Sequence, residues 1–350
     1  MLTFLLKKLA NSILVLFGVV SIVFILFFVL LPADPARLTM GQRSDAKSLA
    51  NIRKELYLDK PLPVQFALYL NDLSPLAIHA KKDQEKYNYT SLFSVGDSSS
   101  FVWKAPYLRR SYQTKKDVGA MLWDAFPGTF ILATLSILVA SFIGILLGTL
   151  AALKQNTWVD TSTIFASVLG ISAPSFFAGI LIAYIFGFLL HDITGLSIIS
   201  PMWDYDPFTG RHLVLKSLIL PVLTLSIRPI AIIVQITRSS MLDVLNQDYI
   251  RTAYAKGLRK KQVIFGHALR NALNPVITSI SGWFAELLAG SFFIEYIFGW
   301  KGIGKITVDA LNKFDFPVVM GSVLFSSVLF ILINIFVDLA YGWIDPRIRK

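Results

Sequence analysis

LANSILVLFGVVSIVFILFFVLL, residues 9–31, carries no charge, follows Lys7 and Lys8, and stops at Pro32. At about 1.5 Å per residue, a helix of this length reaches roughly 34 Å, enough to cross a hydrocarbon core of roughly 30 Å. A cleaved leader has a shorter apolar stretch and a small-residue cleavage site. The length, with Pro-Ala-Asp-Pro at 32–35 behind it, predicts a retained membrane anchor.

Five further apolar segments follow, at about 128–153, 163–190, 213–236, 275–298 and 318–343. The chain is 55% hydrophobic and only 16% charged, whereas soluble domains carry about a quarter charged residues. Apolar residues gathered into runs of bilayer length predict an all-α integral membrane protein with six transmembrane helices. Pro174 removes a backbone donor from the third run and predicts a kink there. Gly144 and Gly148, four residues apart, predict a face on which another helix approaches closely.

Lysine and arginine set the orientation. With the N-terminus cytoplasmic, the inside segments 1–8, 154–162, 237–274 and 344–350 hold 13 basic residues. The short outside loops 191–212 and 299–317 hold one and three. The stretch 32–127 has 14 basic and ten acidic residues, but long loops cross largely regardless of charge. Both termini are therefore expected in the cytoplasm. The organisation read this way is an N-terminal transmembrane helix at 1–31 and an extracytoplasmic elaboration at 32–127. A five-helix core at 128–343 contains the loop 237–274, and 344–350 forms a cytoplasmic tail. Within the elaboration, 45–73 reads as short amphipathic helix broken at Pro61 and Pro63, and 81–100 as polar and Ser-rich.

The net charge of +11 is explained by basic loops beside anionic headgroups. No aromatic-basic module or zinc spacing points to nucleic acid. The chain has no cysteine, which excludes thiolate ligands and thiol nucleophiles. Its four histidines, His79, His191, His212 and His267, lack the paired spacing of a metal site. No nucleophile–base pair suggests an enzyme.

The loop TRSSMLDVLNQDYIRTAYAKGLRKKQVIFGHALRNALNP, 237–275, is too long for a turn and has helical character. Ile250, Ala253, Tyr254 and Gly257 fall at i, i+3, i+4 and i+7 on one helical face. Ala253 and Gly257 make that face shallow enough for another protein to approach, and Gly257 is placed to end the first helix. These residues suit a docking surface or an interfacial helix pair on anionic headgroups equally well.

DYIRTAYAKGL followed by HALRNALNPV resembles the cytoplasmic loop of the oligopeptide/dipeptide/nickel permeases of ATP-binding-cassette (ABC) importers. PADP is similar to the family's Pro-Gly-Asp-Pro turn, with Ala33 in place of Gly. ELYLDKPLPVQF, LILPVLTLSI, FIEYIFGWKGIGKITVDAL, DFPVVMG and DLAYGWIDPRIR also match in family order. The resemblance covers most of the chain except an apparent insertion near 75–106. It implies a permease like that of type I ABC importers, in a bacterial-type inner membrane, with no cofactor of its own. Its implied partners are a second homologous permease, two ABC ATPase subunits that bind ATP and magnesium, and an extracytoplasmic substrate-binding protein. It also implies that the loop couples to the ATPase through Arg251, Thr252, Ala253, Ala255, Lys256 and Gly257. The broader importer signature is only partly kept. Arg251 and Thr252 stand for Glu-Ala, and His267 and Arg270 for Ile and Pro, which favours the peptide branch and removes a signature glutamate. The rival for these membrane segments is a secondary transporter or channel, which needs no ATPase.

Gly299-Trp-Lys-Gly-Ile-Gly-Lys305 spells GxxxxGK, but Ile306 stands where magnesium binding needs Ser or Thr. Glu286 lies near the middle of the fifth segment, where an unpaired charge is costly. It either lines a translocation path or forms a structural pair, with Arg228 or with a polar group of a partner subunit. Glu295 is expected to fix the following loop. Asn334 and Asp338 are expected to pack or cap, and Arg347, Arg349 and Lys350 to anchor the tail.

Overall fold

The computed structural model describes residues 2–30, 46–96, 98–199, 203–206 and 210–344. The 32–35 turn and the tail residues Arg347, Arg349 and Lys350 lie outside these, as does the side chain of Asp338.

Among the described residues, four helices are long and apolar enough to cross a membrane. The first lies in α1 (Leu2–Phe24) and its π-helical extension Ile25–Leu30. The others are α4 (Val118–Leu153), α7 (Lys216–Leu245) and the Phe316–Val337 part of α12 (Phe316–Ile344). A fifth arises if α5 (Trp158–Ser172) and the run Ser175–Leu189, which opens with α6 (Ser175–Tyr184), make one span. These two pieces are bent by 104°. The kink expected at Pro174 is thus a full break. Ala173 sits at φ −74°, ψ 125°, the extended conformation that a following proline imposes.

The segment expected at 275–298 differs more. Its helix α9 (Leu269–Gly290) starts earlier, and Ser291 separates it from α10 (Phe292–Ile297). Asn271, Asn274, Thr278, Ser281 and Glu286 interrupt its apolar character, and it does not stand among the long apolar helices.

By its packing the chain divides into two compact units, 1–124 with 306–328, and 125–305 with 329–350. In the first, α2 (Ala46–Glu55) and α3 (Leu62–Leu73) realise the expected helix, with Pro61 preceding α3 and Pro63 within its first turn. Tyr69 of α3 packs with Val20, Val23 and Phe24 of α1 and with Met320 and Leu324 of α12. The stretch read as an insertion contains a β-sheet, which corrects the all-α expectation. β1 (Leu76–Ala80), β2 (Thr90–Val95) and β3 (Ser99–Trp103) form an antiparallel sheet in the order β1-β3-β2. Leu76 pairs with Trp103, and Phe93 with Phe101. Alternation explains it: Ala77 and His79 of β1, and Ser100 and Val102 of β3, turn inward while their neighbours face out.

This unit buries charge beside the sheet. The Arg109 guanidinium lies 3.7 Å from Asp72 Oδ2 and 5.4–5.7 Å from the rings of Phe28, Tyr57 and Tyr69. The Lys104 ammonium donates to the Asp72 carbonyl. Burial pulls the Lys104 amine down to about 8 against the opposing attraction of Asp72. Burial, reinforced by Asp72, pushes the Tyr57 phenol up to about 12.

The second unit packs around Leu132, Ala140, Ala183, Leu220, Ile233, Val276 and Leu288. Gly144 and Gly148 of α4 meet α7 as expected. A Cβ on Gly144 would lie 2.6 Å from Ile233 Cγ2, and one on Gly148 2.6 Å from the Val234 carbonyl. A hairpin of β4 (Trp203–Asp206) and β5 (Gly210–Leu213) precedes α7.

Candidate functional site

The loop after α7 folds as a short helix and a turn leading into α9. The helix, α8 (Asp248–Ala255), carries Asp248 in its first turn, favourable at the positive end of the helix dipole. It ends in a Schellman motif. The Leu258 amide donates to the Ala253 carbonyl at 3.3 Å, and the Gly257 amide to that of Tyr254 at 2.9 Å. Gly257 takes φ +78°, a conformation that carries a steric penalty for residues with a Cβ. A π-helical stretch, Gln262–Ala268, then leads into α9.

This helix pair has its own core. Ile250 and Ala253 pack with Ala152, Met241, Val263, Ile264, Ala268 and Ala272. Ile250 is 2% exposed and Ala253 7%. The face expected to receive a partner is therefore turned inward at these two positions, because they are the apolar stripe of an amphipathic helix with its own core to fill. Of the six expected coupling residues, Ala253 is buried, whereas Arg251, Thr252, Ala255, Lys256 and Gly257 are exposed. A Cβ at Gly257 would meet nothing within 4 Å.

The loop is fastened at its base by a pair that sequence reading missed. Arg238 grips Asp160 with both arms, Nε to Oδ1 at 2.5 Å and an Nη to Oδ2 at 2.7 Å. The Asn156 amide donates to the same carboxylate at 3.0 Å, and Asp160 is buried. A lone Asp in the first turn of α5 and a lone Arg near the end of α7 are 78 positions apart, so no local pattern announces them.

Glu295 does what was expected of it. The carboxylate is fully buried and accepts four hydrogen bonds. Thr129 Oγ1 and Ser291 Oγ donate to Oε1 at 2.8 and 2.6 Å. The Gly304 and Lys305 amides donate to Oε2 at 2.7 and 3.2 Å. Those amides open α11 (Ile303–Asn312), so the helix start that imitates a phosphate cradle is filled by the chain's own carboxylate. A Cβ on Gly304 would lie 2.4 Å from Phe292 Cα and 3.0 Å from Glu295 Oε2, which explains the second glycine of the GxxxxGK run without any nucleotide.

Glu286 and Arg228 are both exposed and line one cavity, yet no ion pair joins them among the described residues. Arg228 instead lies over Trp283, 5.7 Å from its ring centroid. Asn334 turns back on its own helix, donating to the Phe330 carbonyl at 2.8 Å.

A mostly helical chain with four or five apolar spans and an ordered helix pair between two of its helices defines a polytopic membrane protein. The family model described as "binding-protein-dependent transport system inner membrane component" matches residues 144–350, and its N-terminal companion matches residues 1–133. The chain belongs to this family. It is a permease subunit and not itself an enzyme.

Relatives match along the whole chain. A dipeptide transport system permease protein of Alkalihalophilus pseudofirmus is 33% identical over 363 residues, covering 100% of both chains. A di/tripeptide transport system permease protein of Pseudomonas aeruginosa is 35% identical, covering 100% of this chain and 99% of the other. A glutathione transport system permease protein of Pectobacterium atrosepticum is 36% identical, again covering 100% and 99%. The resemblance to peptide-type ABC importer permeases therefore holds from end to end.

Proposed function

We propose that this chain forms one half of the membrane pore of an ABC importer for peptides or related small solutes, and that α8 transmits the motion of an ATPase subunit into it. The observation that carries this reading is α8 itself. It stands on a private core, braced by the Asp160–Arg238 grip, and turns Arg251, Thr252, Ala255, Lys256 and Gly257 outward. A helix so supported transmits displacement as a rigid piece, because packed cores resist deformation. Ala253 takes part from beneath, by seating the helix.

In this reading α9 with α10 supplies the sixth crossing and both termini lie in the cytoplasm. Residues 32–127 face outward, where a substrate-binding protein delivers cargo. A homologous permease completes the pore, and two ATPase subunits bind ATP and magnesium beneath it. Glu286 lines the translocation path. The peptide cargo of the three relatives supports peptide transport here.

The test exploits the lack of native cysteine. With Ala255→Cys as the single thiol, a short bifunctional reagent is expected to join the permease to a co-expressed ATPase subunit. A thiol at the buried Ala253 is expected to stay unlabelled. Labelling of Ala255→Cys by soluble reagent without any adduct to the ATPase refutes the docking assignment.

A further inference from the structure

The break between α5 and α6 borders a cavity of about 80 Å³. Gly170, Ala173 and Ser175 edge it at the break, Arg228 reaches it from α7, and Trp283 and Glu286 reach it from α9. Trp283 and Glu286 are three positions apart and so share a helix face. Arg228 lies over the Trp283 ring at 5.7 Å, a contact that steadies the planar guanidinium without using up its N–H groups.

Opposite charges that merely hold a membrane protein together pair with each other, because an uncompensated charge in a span costs a few kcal/mol or more. Arg228 and Glu286 share one cavity and remain unpaired among the described residues. Both are exposed in the single chain. The position is apt as well, since broken helices in transporters place their irregular backbone against the solute's route.

We propose that this cavity is a transit site for zwitterionic solutes. The Arg228 fork holds the solute's carboxylate, the Glu286 carboxylate takes its ammonium group, and Trp283 keeps the fork in place. The proposal rests on the permease reading and adds a rule to it: the membrane subunit itself, downstream of any binding protein, reads both ends of the cargo.

The test uses the complete transporter, with its binding protein and ATPases, in proteoliposomes. The probes are labelled dialanine, its N-acetyl derivative and its C-terminal amide. The wild type is expected to favour dialanine over both. Glu286→Gln should lower dialanine uptake roughly tenfold, the loss of one charge-assisted hydrogen bond, and abolish the preference over N-acetyl-dialanine. Arg228→Gln should do the same with respect to the amide. Stimulation of ATP hydrolysis by the loaded binding protein should stay within about twofold in both, a readout that a merely structural defect would lower. Where a glutamine variant is missing from the membrane, Arg228→Lys or Glu286→Asp is read in its place, with a smaller loss in the same direction. Wild-type preference for dialanine in the variants, or equal uptake of all three probes by the wild type, overturns the site. A wild-type complex with neither ATP-driven uptake of any probe nor stimulated hydrolysis overturns the permease reading instead.

Discussion

Replacing Glu295 separates a structural carboxylate from a transport one. Its four accepted hydrogen bonds come from two hydroxyls and from two amides at the start of α11. Glu295→Ala strips all four donors of their partner in a site with no solvent. Each charge-assisted hydrogen bond contributes about 1.5–3 kcal/mol, but neighbouring losses overlap, so the expected total is about 3–5 kcal/mol. Glu295→Gln keeps one acceptor oxygen for the two amides and turns an NH2 toward the Thr129 and Ser291 hydroxyls, which must both reorient to accept. Its cost is expected at about 1–3 kcal/mol. At roughly 2 °C per kcal/mol for a chain of this size, the alanine variant should melt about 6–10 °C lower and the glutamine variant about 2–6 °C lower. The measurement is thermal unfolding of the detergent-purified chain, alongside uptake normalised to the permease folded in the membrane. Normalised uptake should be close to wild type in Glu295→Gln. Full thermal stability with lost uptake refutes the reasoning, since that is the signature of a residue that meets cargo.

Gly257 yields a contrast between backbone and clearance. Gly257→Asn tolerates the positive φ and should cost under about 1 kcal/mol. Gly257→Trp should insert normally and abolish ATP-coupled uptake, because its side chain fills the open space on the proposed docking face; normal uptake by that variant counts against docking. Arg238→Lys keeps the charge on Asp160 but loses the fork, and should destabilise by about 1–3 kcal/mol. A double-mutant cycle with Asp160→Asn should recover most of that as coupling, and strict additivity of the two changes argues against the grip. The first unit should also respond to alkaline pH. Between about 8 and 10.5 the unfolded chain holds the Lys104 proton that the folded chain has lost, so stability rises with pH there. Above about 10 unfolded Tyr57 ionises while the folded phenol holds its proton to about 12, so stability falls. The two together place a maximum near pH 10, and Lys104→Met should flatten the rising limb in urea titrations.

Residues 9–31, the apolar runs and the motif order were sufficient for a multi-span helical permease of a known family. Spans are legible because the bilayer demands length and apolarity locally, residue by residue. The same locality made Gly144–Gly148 and the end of α8 at Gly257 readable, and Glu295 could be assigned to its loop. Three things required the folded chain. The direction faced by Ala253 depends on which side of α8 finds a core, and Met241 and Val263 decide that from other helices. The grip of Arg238 on Asp160 and the failure of Arg228 to pair with Glu286 are distances between helices far apart in sequence. The β-sheet at 76–103 was masked by polar, Ser-rich composition, because strand formation is settled by cross-strand partners and burial more than by residue preference. Spans, caps and family motifs are properties of neighbours along the chain, whereas the buried core under α8, the Asp160–Arg238 grip and the cavity shared by Arg228 and Glu286 are made only where separate helices meet.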